Sequence, residues 1–132
     1  MRVRCVAAAF AAAGLLTVSC NGLVDPSKNV TETFSGTINP QGFDTHLFST
    51  DKNGEITMKI TALAPDASVP VGVIWAQATS SGCNGQVLQS GIGNLNFQAI
   101  GGQIFQGSYC VLVYDLGILQ AAETYTVSVS HP

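Results

Sequence analysis

The stretch Asp51-Lys52-Asn53-Gly54-Glu55-Ile56-Thr57-Met58-Lys59-Ile60-Thr61-Ala62 (DKNGEITMKITA) decides how the rest of the chain is read. Ile56, Met58 and Ile60 alternate with Thr57, Lys59 and Thr61, a period of two that puts the apolar side chains on one face of a strand. Asn53-Gly54 is the dipeptide of a tight hairpin turn. The segment just before it, Asp44 to Thr50 (DTHLFST), is therefore expected to pair with Glu55 to Ala62 as a hairpin.

Working outward, the same period recurs and no helix of ordinary length is visible. Thr31 to Ile38 (TETFSGTI) places Phe34, Gly36 and Ile38 on one face, and Asn39-Pro40-Gln41-Gly42 reads as a turn. A Pro-bounded loop from Ala64 to Pro70 leads to Val71 to Ala78 (VGVIWAQA), apolar on both faces and so expected at the centre of a sheet. Gly82 to Gly93 reads as loop, with a short strand fitting Gln86 to Gln89. Gly91-Ile92-Gly93 and Gly101-Gly102 read as turns, because no helical pattern follows either to make a phosphate cradle. Strands are expected at Asn94 to Ile100, at Gly107 to Asp115 (GSYCVLVYD, again apolar on both faces) and at Thr124 to Ser130. Seven or eight short strands in roughly 100 residues predict an all-β antiparallel sandwich.

The chain has 132 residues, of which 46% are hydrophobic and 10% charged. That length suits one domain, and the composition suits a packed core rather than disorder. Arg2 and Arg4 precede the uncharged apolar run Val6 to Val18 (VAAAFAAAGLLTV), the pattern of a secretory signal peptide over residues 1–19. The run is shorter than the roughly 20 residues a membrane-crossing helix needs. Leu16-Thr17-Val18-Ser19-Cys20 resembles a bacterial lipobox, which implies lipidation of Cys20 and anchoring in the cell envelope. Asn21 in the next position fits outer-membrane sorting. Residues 20–29 read as a polar tether, and 30–132 as the folded domain.

Beyond Cys20 the three lysines Lys28, Lys52 and Lys59 face eight carboxylates and there is no arginine, for a side-chain charge of −5. Binding to a phosphate backbone needs clustered cations, so a nucleic-acid partner is not expected. Export leaves Cys83 and Cys110 as the only cysteines of the domain, and they read as a disulfide. A metal site there would need further ligands, and His46 and His131 show no suitable spacing with the two cysteines.

The order of Phe34-Ser35-Gly36-Thr37, Gly42-Phe43-Asp44-Thr45-His46-Leu47-Phe48, Gly54 through Ile60, Gly107-Ser108-Tyr109-Cys110-Val111-Leu112-Val113-Tyr114-Asp115 and Tyr125-Thr126-Val127-Ser128-Val129 resembles the bacterial pre-peptidase C-terminal domain. The likeness covers most of residues 31–131. It implies a jelly-roll-like sandwich serving as an accessory, binding or processing module of exported proteins. In place of the family's Asp-containing middle strand, this chain carries the fully apolar Val71-Gly72-Val73-Ile74-Trp75.

Several residues qualify as carriers of chemistry. Asp44 and His46, two apart on a strand, share a face and form a candidate acid and base pair for a small hydrolase. The competing reading is a surface pair beside a turn, since no Ser or Cys stands in a nucleophile-elbow context. Asp51, Asn53 and Glu55 offer oxygen ligands for calcium, but three donors fall short of the six to eight the ion takes. Trp75, Phe97, Tyr109, Tyr114 and Tyr125 include candidates for a sugar-stacking platform, most of them expected in the core. The expected function is that of a non-enzymatic envelope lipoprotein presenting a sandwich as a binding module, its ligand a glycan or an envelope protein. A hydrolase using Asp44 and His46 and a purely structural envelope protein are the alternatives.

Overall fold

A computed structural model describes residues 26–132; the signal segment, Cys20 and the first part of the tether lie outside the described residues. The tether's last residues are built into the domain. Pro26–Lys28 forms one turn of 3-10 helix, and the Asn29 side-chain amide donates to Glu55 O at 3.1 Å.

Eight strands follow: β1 (Val30–Ile38), β2 (Phe43–Thr50), β3 (Gly54–Ala64), β4 (Val71–Gln77), β5 (Val87–Gly93), β6 (Gln98–Ile104), β7 (Gly107–Tyr114) and β8 (Glu123–His131). They form two antiparallel four-stranded sheets, ordered β1-β8-β3-β6 and β2-β7-β4-β5. Only β4 and β5 are sequence neighbours paired within a sheet, and every other connection crosses from one sheet to the other. That is the strand order of a jelly roll, with β1, β6, β2 and β5 as its edge strands.

The alternation read from the sequence becomes the core. Ile56, Met58 and Ile60 of β3, with Val127 and Val129 of β8, face Val71 and Val73 of β4 and Val111 and Val113 of β7, all at 0% exposure. Each such side chain contributes about 1.5–3 kcal/mol relative to exposure, which makes the inter-sheet layer the main source of stability. The strands read as apolar on both faces, β4 and β7, are the two central strands of their sheet.

Two expectations are corrected. Asp51–Asn53 does not close a hairpin, because β2 and β3 lie in different sheets and do not pair. Neither Asn53 nor Gly54 takes the positive φ that the tight two-residue turn requires. The segment is instead pinned as a crossover. The Thr50 hydroxyl lies 3.1 Å from Lys52 O and 2.8 Å from Pro132 O, and Asn53 Oδ1 accepts from Gln106 N at 2.8 Å.

The second correction concerns Gly91, Gly93, Gly101 and Gly102, which lie inside β5 and β6 rather than in turns. The turn falls at residues 94–97, within the expected strand, with Asn96 at φ 65°. The glycines mark close approach instead. A Cβ on Gly93 would lie 2.6 Å from Ile60 Cγ1, and one on Gly91 would lie 2.1 Å from Ala99 O.

Candidate functional site

Asp44 and His46 project from β2 toward the neighbouring sheet, as their shared face predicts, and there both meet Tyr125 of β8. The Tyr125 hydroxyl donates to Asp44 Oδ2 at 2.9 Å and lies 2.7 Å from His46 Nε2. With the single phenol proton given to Asp44, His46 Nε2 is the donor in the second contact. Phe34 of β1 stacks on the imidazole, with ring centroids 5.0 Å apart and an interplanar angle of 13°. Gly36 leaves the space that the carboxylate fills, since a Cβ there would stand 1.9 Å from Asp44 Oδ2.

Burial first, and then the hydrogen bond to Asp44 and its negative charge, hold the Tyr125 phenol well above its ordinary value of 10.0. The phenol is thereby kept as a proton-bearing bridge, not a base or nucleophile. Among the described residues no serine, threonine or cysteine side chain is bonded to Asp44 or His46. The arrangement can clamp the two sheets together.

The calcium candidates do not converge. Asn53 Oδ1 is taken by Gln106 N, Glu55 stands on the outer face of β3 opposite Gln103, and no group of three or more metal-capable side chains gathers among the described residues. Cys83 and Cys110 are joined as a disulfide, with Cα atoms 5.6 Å apart, fixing the β4–β5 connection onto β7.

Of the aromatic candidates, Trp75, Tyr109 and Tyr125 are buried, Tyr114 is half-buried and Phe97 is exposed. Phe43 and Leu47, not singled out from the sequence, are 69% and 57% exposed on the outer face of the β2-β7-β4-β5 sheet. In register across that face run Phe43, Tyr114, Gly72 and Ile92, then Thr45, Leu112, Ile74 and Ser90, then Leu47, Cys110, Ala76 and Val87. These rows contain no charge. Tyr114 lies flat over Gly72, where a Cβ would come within 2.2 Å of its ring. A signal for this face exists in the sequence: Leu47 and Phe48 are consecutive, so one of them must face out.

The outer face of the other sheet has the opposite chemistry. Thr31, Thr33, Ser35, Thr57, Thr126, Ser128 and Ser130 cover it in adjacent rows, and Ser35 and Thr126 are hydrogen-bonded at 2.8 Å.

One further concavity opens at the β5 and β6 edge of the sandwich, a cleft of about 270 Å³ lined by Trp75, Gln77, Leu88, Gln103, Phe105 and Tyr109. Trp75 Nε1 is the one buried side-chain polar atom without a hydrogen-bond partner among the described residues. Such an unmade bond costs about 1–3 kcal/mol. Gln77, Gln103 and Phe105 carry no periodic signal that sequence reading could have used. Compared with known proteins, the chain matches no family model and no curated protein.

Proposed function

We propose that the chain is an exported, lipid-anchored, non-enzymatic sandwich that works as a binding module of the bacterial cell envelope. The observation that carries this reading is the uncharged apolar face of the β2-β7-β4-β5 sheet, with Phe43, Leu47 and Ile92 each more than half exposed. Large exposed apolar side chains gathered on one uncharged sheet face mark contact with a partner. The commitment of Asp44 and His46 to Tyr125 argues in the same direction. The signal pattern ending at Ser19-Cys20 supplies the anchor, and the likeness to the pre-peptidase C-terminal domain supports an accessory rather than catalytic role.

The test is sedimentation of the unacylated chain, residues 21–132, with isolated bacterial envelopes, beside the same chain carrying Phe43→Ser/Leu47→Ser. The wild type is expected in the pellet and the variant in the supernatant, with both melting alike, since exposed substitutions shift stability by only about 0.5 kcal/mol. Equal partition of the two, or failure of the wild type to sediment, removes the reading. Cys20→Ser, expressed in a bacterial host, is expected to abolish incorporation of labelled palmitate into the protein.

A further inference from the structure

The cleft between β4, β5 and β6 lies apart from the outer sheet face and is built differently. Trp75 forms its wall, tilted against Tyr109 with ring centroids 5.7 Å apart. Tyr109 in turn donates from its hydroxyl to Phe105 O at 2.7 Å, which holds the exposed Phe105 segment in place as the opposite wall. The rim carries the Gln77 and Gln103 side-chain amides, both exposed and neither hydrogen-bonded among the described residues.

We propose that this cleft binds a neutral saccharide. Phe105, 56% exposed, offers an open ring face of the kind that packs against the C–H face of a sugar ring, over a floor formed by the buried Trp75 and Tyr109. Each free glutamine amide presents both an acceptor and donors, the set that complements hydroxyl groups, which themselves donate and accept. Trp75 Nε1–H is buried in the floor with no hydrogen-bond partner among the described residues. None of the six lining residues is charged, and the Glu55 carboxylate opposite Gln103 in register works against an anionic ligand. The volume of about 270 Å³ falls just below the roughly 300–1,000 Å³ of pockets that enclose drug-sized ligands, which suits one sugar ring with its neighbour in solvent.

Trp75 is the single tryptophan of the chain, so its emission reports on the cleft directly. The full mature chain, held in detergent, is titrated with maltose, cellobiose and diacetylchitobiose, with glucuronic acid as the anionic control and an uncharged dipeptide as the non-sugar control. A saturable change with at least one neutral disaccharide is expected, weakened about tenfold in Gln103→Ala and in Phe105→Ala, whose side chains are exposed and whose melting checks the fold. No saturable change with any neutral sugar overturns the proposal, as does an equal response in both variants or a response to the dipeptide alone. Phe43→Ser/Leu47→Ser should bind the sugar as the wild type does. Loss of sugar binding there, with the cleft variants unaffected, would assign the site to the sheet face and overturn the cleft.

Discussion

Tyr125 Oη stands 2.9 Å from Asp44 Oδ2 and 2.7 Å from His46 Nε2, so one phenol of the β1-β8-β3-β6 sheet ties two side chains of the opposite sheet. Tyr125→Phe keeps the ring and removes the bridge, leaving a partly buried carboxylate and imidazole without their shared partner. The expected cost is about 1–3 kcal/mol. At roughly 4–8 °C per kcal/mol for a domain of this size, calorimetry resolves it easily. In a double-mutant cycle with Asp44→Ala, the two costs should fail to add. Additive losses would mean that the bridge contributes nothing.

The Cys83–Cys110 disulfide closes a loop with a sequence separation of 27 and binds the β4–β5 connection to the central strand β7. Its removal in Cys83→Ala/Cys110→Ala should cost about 3–4 kcal/mol through the freer unfolded chain. Denaturant midpoints of the oxidised wild type and the double variant measure this. Equal midpoints would show that the sandwich is held by its core alone.

Asp115 follows β7, and its carboxylate accepts from the backbone N–H groups of Gln41, Gly117, Ile118 and Leu119 at 2.8–3.1 Å. The Gln41 N–H foremost, opposed by burial and helped by the other three, holds the carboxyl below its ordinary value of 3.8. The folded-state value is depressed, so the stabilisation is fully present above the unfolded value and is lost as pH falls through the folded one. Asp66, lowered by its bonds from the Ser68 hydroxyl and backbone, adds in the same sense. Unfolding midpoints from pH 7 downward should therefore favour wild type over Asp115→Asn at neutral pH. Below about pH 4 the advantage should shrink. A constant difference across that range would rule out the carboxylate as its source.

Most of the fold was legible because the period of two is written locally. Ile56, Met58 and Ile60 face inward as read, and the doubly apolar Val71 to Gln77 and Gly107 to Tyr114 became central strands. What a strand pairs with is not written locally. Asn53-Gly54 signals a turn, yet the inner-facing Phe48 and Thr50 belong to one layer and Ile56 to the other, so the chain crosses instead of doubling back. The site follows the same rule. That Asp44 and His46 share a face could be read from their spacing, but Tyr125 lies about 80 positions away and meets them only because the sheets stack. Gln103 and Phe105 come to Trp75 across the edge between two sheets, where no periodicity exists to betray them.

Gly93 tests how tightly that stacking is set. It is buried at the end of β5, and a Cβ on it would stand 2.6 Å from Ile60 Cγ1 and 2.9 Å from Val73 Cγ2, side chains of the two facing sheets. Its φ is not positive, so backbone strain is not the obstacle. The added methyl must push branched core side chains off their positions, and Gly93→Ala should cost about 1–3 kcal/mol by overpacking. Gly117→Ala makes the complementary control: nothing lies within 4 Å of its Cβ position, but its φ of 88° makes the cost one of backbone conformation alone. The two can be separated by pairing each with Ile60→Ala, which removes Cγ1, the atom nearest the Gly93 Cβ position, each pair being measured against Ile60→Ala alone. That second change should recover part of the Gly93→Ala loss and none of the Gly117→Ala loss, and recovery in both or in neither would show that packing at Ile60 is not what excludes a side chain from position 93.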